Sequence, residues 1–232
     1  MTFLTGRGGG PQDLGALMLE RVDLPASVGY DESTDGATDA SEPADPSDAT
    51  LAAIRDRDRL AALRRLVLLD TPATEAFDRL VRLAARVLEC PIALLSLIDA
   101  DRQFFKASFG LPDDLASARE TPLTHSICQY AVAREDRLVV CDAMVEHWLD
   151  DNLAVREFGI RAYAGVPLMS TDGHAIGTLC VADFAPREWT AEQIANLEDL
   201  ASATVREIRL HVLERTISHQ RAWRSVPPQP VW

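Results

Sequence analysis

The chain has 232 residues, of which 47% are hydrophobic and 25% charged, and its formal net charge is −13. This length suffices for one well-buried domain with extra segments, or for two small domains. The acidic balance does not provide the basic surface that binds a nucleic-acid backbone, and no apolar run approaches the roughly 20 residues that span a bilayer. We therefore expect neither nucleic-acid nor membrane binding. The N-terminus has no signal-peptide pattern, which predicts a cytoplasmic location.

The two ends of the chain differ in composition from its centre. Residues 1–46 are rich in Gly, Pro, Ser, Thr and Asp and carry much of the net negative charge. Such a segment buries too little apolar surface to offset the entropy of ordering, so it is predicted to be a disordered acidic segment. Residues 221–232 form a proline-containing tail. A single folded domain is predicted over residues 47–220.

Two helices are predicted at the start of the domain. The first covers residues 47–69 and places its apolar residues on one face, with many arginines and aspartates on the others. The second begins with Thr71 as N-cap and Pro72 at the first helical position. Its apolar residues recur at the i, i+3, i+4, i+7 spacing of one buried face; they are Phe77, Leu80, Val81, Ala84, Val87 and Leu88.

The middle of the domain alternates short strands and short helices. Asn152 begins a helical turn that Gly159 ends, within an otherwise irregular segment. The other predicted elements are a strand over 91–99, a strand over 103–109, a loop over 110–121, a helix over 124–134 and a strand over 137–141.

A β-hairpin over residues 160–183 is the central element, because Asp172-Gly173 separates two β-prone apolar runs. Thr190 and Gln193 then form a capping-box pattern that starts a helix over residues 190–220. This helix is longer than the domain requires, and its apolar stripe continues along it: Ile194, Leu197, Ala201, Thr204 and Ile208. We therefore expect a homodimer through residues 190–220, joined by the helix over 47–69. The element order predicts an α+β fold, an antiparallel sheet with helices packed on one face.

Several ordered motifs resemble the GAF sensory domains of bacterial signalling proteins. They are Leu-Leu-Asp-Thr-Pro at 68–72, Pro-Ile-Ala-Leu-Leu-Ser-Leu-Ile-Asp at 91–99, Ser-Ile-Cys-Gln-Tyr-Ala-Val at 126–132, and Gly-Thr-Leu-Cys-Val at 177–181. The resemblance covers about residues 55–215. It implies a sheet with helices on one face and a ligand cavity on the other.

The resemblance also implies which residues line that cavity. Carried over to this sequence, they are Phe105, Ser126, Cys128, Tyr130, Asp142, Trp148 and Tyr163. The alternative is that these side chains fill the space themselves. The signature of GAF domains that bind cyclic nucleotides is not found, and Cys128 is followed by Gln129 where bilin-binding relatives usually have histidine. The cofactor therefore stays unknown.

An alternative hypothesis is that Cys128 is a redox-active thiol. On a helix, His125 would lie three residues before it on the same face, where an imidazolium lowers a thiol pKa. Free methionine sulfoxide reductases are GAF enzymes with a comparable cysteine, but they need a further cysteine in the loop that corresponds to residues 143–159, which has none. The cysteines and histidines show no zinc-type spacing, so no metal site is predicted. Free thiols are expected for all four cysteines.

These observations predict a non-enzymatic GAF sensory or interaction module. The sequence contains no kinase ATP-site pattern, no diguanylate-cyclase motif and no basic helix-turn-helix, so we expect it to signal in trans to a protein partner through the geometry of its dimer. The alternatives are a thiol-based redox enzyme or sensor that uses Cys128, and a ligand-free dimerisation scaffold.

Overall fold

The computed structural model describes residues 48–224; the predicted disordered segment 1–46 and residues 225–232 of the predicted tail lie outside the described residues. The strands are β1 (Ile92–Ile98), β2 (Arg102–Phe109), β3 (Glu120–Pro122), β4 (Leu138–Val140), β5 (Ala162–Met169) and β6 (Ala175–Asp183). They form one sheet in the order β3-β2-β1-β6-β5-β4, and all neighbours are antiparallel. The predicted α+β architecture is confirmed.

Both faces of the sheet are covered by helices. These are α1 (Asp48–Ile54), α2 (Arg57–Arg65), α3 (Glu75–Val87), α4 (Asp113–Ala118), α5 (Cys128–Arg134), α6 (Leu153–Arg156) and α7 (Ala191–Arg224). On the long-helix face, α3 and α7 pack on the sheet around Phe77, Val81 and Leu197. On the short-helix face, α1, α5 and α6 cover the other side of β1, β5 and β6. In the part of the chain that the structure describes, none of the helices combines the length and the apolar character needed to cross a bilayer.

The prediction of a single helix over residues 47–69 is wrong, because the helix is interrupted between α1 and α2. Asp56 accepts a hydrogen bond from the backbone N–H of Arg59 at 2.8 Å and caps α2. The buried guanidinium of Arg59 donates to the carbonyls of Ile54 and Ile98. The break is needed because Ile54 packs on the short-helix face whereas Leu63 packs on the long-helix face. One straight helix could not reach both.

The predicted start of the second helix is also wrong. α3 begins at Glu75, because Thr71 is used elsewhere: its hydroxyl donates to the carbonyl of Leu68 and accepts from Lys106 Nζ at 2.7 Å. The loop predicted over residues 110–121 contains α4 and most of the edge strand β3. The helix predicted over 124–134 is divided by Ser126, whose backbone is extended between a 3₁₀ turn (Leu123–His125) and α5.

The predicted hairpin and capping box are confirmed. β5 and β6 pair across a turn in which Gly173 has φ +84, and the Gln193 N–H donates to Thr190 Oγ1 at 3.1 Å while the Thr190 N–H donates to Gln193 Oε1 at 3.0 Å. The 34-residue helix α7 then runs antiparallel to α3, since Arg187 binds the carbonyl of Leu88 near the start of α7 and His211 stacks near Phe77 at the start of α3.

The predicted stripe of α7 faces its own domain. Leu197, Ala201, Thr204 and Ile208 are at most 3% exposed. Burial of the two large aliphatic side chains, Leu197 and Ile208, stabilises the fold by about 1.5–3 kcal/mol each. A different set of apolar side chains on α7 is exposed, with 49% of Leu210, 59% of Leu213 and 48% of Ile217 accessible. At 100° per residue these three lie on the side of α7 opposite Ile208.

Candidate functional site

Five of the seven predicted cavity residues meet in the core of the short-helix face. Phe105 comes from β2, Cys128 and Tyr130 from α5, and Tyr163 from β5; all four belong to one apolar cluster and are buried, as is Ser126. These side chains pack against one another and against the sheet. Four of the five are therefore part of the apolar core of this face.

Trp148 lies at the rim of this cluster. Its ring meets that of Tyr130 edge-on, with centroids 5.0 Å apart, and the guanidinium of Arg134 lies 5.3 Å above it. The indole N–H donates to Glu146. Trp148 is partly buried and closes the outer end of the cluster.

Asp142 does not join the other six. Its carboxylate forms a bidentate ion pair with Arg161 at 2.8 and 2.7 Å and accepts from the Met144 N–H at 3.1 Å. The hydrogen bond from Arg161 lowers the pKa of this carboxyl. Asp142 therefore stabilises the turn after β4 and is not a member of the buried cluster.

His125 does not face Cys128. It ends the 3₁₀ turn, and its ring nitrogens bind Glu157 Oε2 at 3.1 Å and Thr124 Oγ1 at 3.0 Å. The extended backbone of Ser126 turns the chain before α5, so the i, i+3 relation of a continuous helix is lost. The predicted imidazole–thiol pair is wrong.

Ser126 instead fixes the start of α5. Its hydroxyl donates to Gln103 Oε1 and accepts from the Gln129 N–H at 3.1 Å, and its carbonyl accepts from Asn152 Nδ2 at 3.0 Å. Gln129 also donates to the carbonyl of Leu123 at 2.7 Å. Sequence reasoning missed Gln103 and Gln129. What marks them is a side-chain amide at a buried position, and their burial is visible only in the fold.

A buried polar group, the thiol cluster, lies beneath α5. It consists of Ser96, Cys128, Tyr163, Thr178 and Cys180, each at most 2% exposed. Cys128 Sγ is 3.5 Å from Cys180 Sγ and 3.7 Å from Ser96 Oγ. Ser96 and Thr178 are cross-strand neighbours on β1 and β6. The Tyr163 and Thr178 hydroxyls make no hydrogen bond within ordinary geometric limits.

Burial and the neighbouring groups of the thiol cluster shift the pKa values of the two thiols. Burial raises the pKa of Cys128, but the interactions with the Cys180 thiol and with the nearby hydroxyl groups outweigh it and lower the pKa to about 7. The interaction with Cys128, followed by burial, raises the pKa of Cys180 well above its usual value. Burial, with the charge on Cys128, likewise raises the pKa of Tyr163. The pKa of Cys128 is thus lowered and that of Cys180 raised, so Cys128 is the thiol of the pair that ionises more readily.

The geometry of Tyr163 depends on Gly165, two residues along β5 on the same face. A Cβ at position 165 would lie 2.1 Å from the Tyr163 hydroxyl and 2.6 Å from its Cζ. The missing side chain lets the tyrosine ring lie along the strand and bring its hydroxyl to the sulfurs. The sequence signals this only as a run of small residues in the central hairpin.

A second buried ionisable group lies on the long-helix face. Lys106 is 1% exposed; its ammonium donates to Thr71 Oγ1 at 2.7 Å and to the Pro72 carbonyl at 2.8 Å, and it lies 5.6 Å above the Phe77 ring. Burial, reinforced by the charge of Arg119, lowers its pKa to about 8. Among the described residues, no group of three or more His, Cys, Asp or Glu side chains is arranged to hold a metal ion.

Comparison with known proteins decides the family. The GAF domain model matches residues 72–208, more than half of the chain. This chain belongs to the GAF domain family. The resemblance seen in the sequence motifs is thereby confirmed, and with it the fold.

Curated relatives include a cyclic di-GMP phosphodiesterase of Pseudomonas aeruginosa, which is 37% identical over 163 residues covering 69% of this chain and 27% of the relative. The diguanylate cyclase DgcP of Escherichia coli is 32% identical over 75 residues, covering 32% of this chain and 21% of the relative. The chain thus spans about a quarter of the length of the curated relatives it matches.

Solved structures support the fold alone. The blue-light-absorbing form of the Thermosynechococcus elongatus PixJ GAF domain superposes with a TM-score of 0.51 at 22% identity, covering 70% of this chain and 96% of that one. A free methionine-R-sulfoxide reductase from Neisseria meningitidis gives a TM-score of 0.50 at 18% identity, covering 73% and 95%. The GAF family is a family of sensory and signalling modules, and this chain has its architecture.

Proposed function

We propose that this chain is a non-enzymatic GAF sensory or interaction module that regulates cyclic di-GMP turnover. Two curated relatives support the signalling context, one named as a cyclic di-GMP phosphodiesterase and the other as a diguanylate cyclase. The predicted imidazole–thiol pair is not formed, which weakens the sulfoxide-reductase alternative. A cytoplasmic location belongs to this proposal, supported by four free cysteines.

One observation carries the proposal: α7 leads from the core to an exposed apolar surface. Its first half packs on β5, β6 and α3. Its later part passes Val67, whose carbonyl accepts from Arg215 at 3.4 Å, and continues to Arg224, about two turns further. A helix that senses the core at one end and exposes apolar side chains at the other is suited to pass a signal to a second helix.

The proposed partner of this surface is a second copy of the chain. The exposed row Leu210, Leu213 and Ile217 has the 3-and-4 residue spacing of a helix–helix seam. A two-fold pairing would cover the same row on both copies. The sequence expectation that the helix over 47–69 joins the seam is dropped from this proposal, because Ile54, Leu60 and Leu63 are buried in their own domain.

Charge substitutions within the exposed row of α7 and outside it test the dimer. Leu210→Glu with Leu213→Glu should convert the dimer to a folded monomer in light scattering, because each places a charge in the seam. Ser218→Glu adds the same charge on another side of the helix and should leave the mass unchanged. A wild-type protein that stays monomeric at high concentration would contradict the dimer.

A chimera tests the regulatory role. This chain is placed in the Pseudomonas aeruginosa phosphodiesterase in exchange for the segment that it matches at 37% identity. We expect cyclic di-GMP hydrolysis to be retained, and the Leu210→Glu, Leu213→Glu pair to change its rate several-fold, with no change from Ser218→Glu. Equal rates for the chimera, both variants and an enzyme lacking the segment would refute regulation by this module.

The presence of a small ligand is tested separately. The packed short-helix face supports the alternative of a ligand-free scaffold, in which α7 alone carries the interaction. Native mass spectrometry of the protein purified from its own host should then give the mass of the polypeptide. A reproducible added mass that is lost on denaturation would instead favour a ligand-binding sensor.

A further inference from the structure

The thiol cluster contains two features that the apolar packing of the short-helix face does not require. The first is a pair of cysteines whose sulfurs are 3.5 Å apart although they are 52 positions apart in the sequence. The second is a pair of buried hydroxyls, on Tyr163 and Thr178, that lie beside the sulfurs without a hydrogen-bond partner in the described structure. Buried unpartnered hydroxyls cost free energy, and such groups often have a chemical role.

We propose that Cys128 and Cys180 form a site of reversible oxidation, at which a hydroperoxide converts the two thiols to a disulfide joining α5 to β6. This inference concerns the chain's own cysteines and does not depend on its role in cyclic di-GMP turnover. A disulfide requires a sulfur–sulfur distance of about 2.05 Å. The sulfurs, 3.5 Å apart, must therefore approach by about 1.5 Å.

The chemistry proceeds in two balanced steps. Cys128 thiolate attacks the terminal oxygen of the hydroperoxide and the O–O bond breaks. The products are Cys128 sulfenic acid and an alkoxide that takes up one proton to become an alcohol; with hydrogen peroxide as the oxidant, hydroxide is released and becomes water. Cys180 then attacks the Cys128 sulfur; the S–S bond forms, the S–O bond breaks, and the oxygen leaves as water with the proton of Cys180. Two equivalents of a small-molecule thiol reverse the reaction and become a disulfide themselves.

The neighbouring groups assign the roles within the pair. The Cys128 sulfur lies 3.5 Å from the Cys180 sulfur and 3.7 Å from the Ser96 hydroxyl, so polar groups are at hand to stabilise its thiolate. Cys128 is assigned the first attack, and Cys180 supplies the proton that the leaving oxygen needs. The Tyr163 and Thr178 hydroxyls can donate to the thiolate and then to the departing oxygen. Tyr163 and Thr178 are thus positioning residues of the proposed site.

Burial limits the access of oxidants to the two sulfurs. Neither sulfur is more than 2% exposed, so oxidant reaches them only when α5 moves away from β6. Cys141 is exposed and would form disulfides between chains, so the experiment uses the full chain carrying Cys141→Ser. In that protein Cys90 is the remaining cysteine, and its thiol contacts Arg187 on the long-helix side of the domain.

The test treats the folded protein with hydrogen peroxide, then blocks remaining thiols under denaturing conditions and maps the peptides by mass spectrometry. We expect a loss of two hydrogen atoms per chain, a peptide pair linking Cys128 to Cys180, and full reversal by dithiothreitol. Cys90→Ser should not affect this product, and Cys180→Ser should stop at sulfenic acid on Cys128. Recovery of both thiols unmodified, or a disulfide involving Cys90 instead, would overturn the proposal.

The pH dependence distinguishes positioning from simple packing. Disulfide formation in the parent protein should rise with a midpoint near the Cys128 pKa of about 7. Tyr163→Phe and Thr178→Val keep the shape but remove one donor each, so each should shift the midpoint upward and slow oxidation at neutral pH several-fold. Circular dichroism and urea unfolding confirm that the variants are folded. An unshifted midpoint in both folded variants would overturn the role of the hydroxyls.

Discussion

Gly165→Ala should destabilise the protein through one identifiable collision. The added Cβ would lie 2.1 Å from the hydroxyl oxygen of Tyr163, 2.6 Å from Cζ and 2.8 Å from Cε1. These atoms belong to a buried ring in the thiol cluster and cannot move freely into solvent. Overpacking of this kind typically costs about 1–3 kcal/mol, and replacing glycine in a strand returns about 0.5–1 kcal/mol. The difference between these two effects is a net loss of about 1 kcal/mol in the free energy of unfolding.

A double-mutant cycle attributes this loss to Tyr163. In a Tyr163→Leu background the side chain ends before the atoms that the new Cβ would meet. Gly165→Ala should therefore stabilise that protein by about 0.5–1 kcal/mol, which gives a coupling of about 2 kcal/mol between the two positions. Urea denaturation followed by tryptophan fluorescence measures all four proteins.

Gly173→Ala is the matched control. Its φ is +84 and no atom lies within 4 Å of the added Cβ, so it should cost about 1–2 kcal/mol from backbone strain alone, equally in both backgrounds. A loss from Gly165→Ala of the same size with and without the tyrosine ring would refute the steric reasoning.

Two further predictions concern the long-helix face. Burial holds the pKa of Lys106 at about 8, below the unfolded value of about 10.4, so between these pH values the unfolded chain binds more protons and the free energy of unfolding rises with pH. The difference in stability between wild type and Lys106→Met should therefore shift in favour of wild type by up to about 3 kcal/mol from pH 7.5 to 10.5 in urea titrations; a constant difference would contradict the lowered pKa. Thr190→Ala removes the N-cap of α7 and should cost about 1 kcal/mol in the same assay, with Glu192→Ala as a nearby exposed control; equal losses in the two variants would argue against the cap.

Local patterns in the sequence predicted local structure well. The Asp172-Gly173 turn and the Thr190–Gln193 capping box depend on residues a few positions apart, and both form as expected. The break between α1 and α2 was missed because Asp56 and Arg59 lie in a run of alternating charges, which is typical of a solvent-exposed helix. Only the assembled fold shows that Arg59 is buried against the ends of β1 and β6.

The sequence predicted which residues meet at the candidate site better than it predicted their interactions. The family resemblance brought Phe105, Cys128 and Tyr163 together, and these three meet in the structure. It also supplied Asp142, which pairs with Arg161 instead. The distance between Cys128 and Cys180 depends on the register of β6 and on the position of α5 against the sheet. The spacing of the two cysteines in the sequence predicts neither.

The last prediction connects the two faces of the sheet through β6. Successive residues of this strand point to opposite faces: Cys180 lies in the thiol cluster, whereas Leu179 and Val181 are fully buried against α7. Interiors are close-packed, so a strand displaced from one face displaces its contacts on the other. Formation of the proposed disulfide should therefore change amide hydrogen exchange in α7 around Leu197 and Ala201.

The comparison uses reduced and peroxide-treated Cys141→Ser protein, with Cys180→Ser under the same treatment as the control that cannot form the disulfide. Exchange in β3, the edge strand that β1 and β2 separate from β6, should stay the same. If the disulfide forms and amide exchange in α7 is unchanged, oxidation of the thiol cluster does not alter the packing of α7. Oxidation then cannot be the signal that α7 transmits.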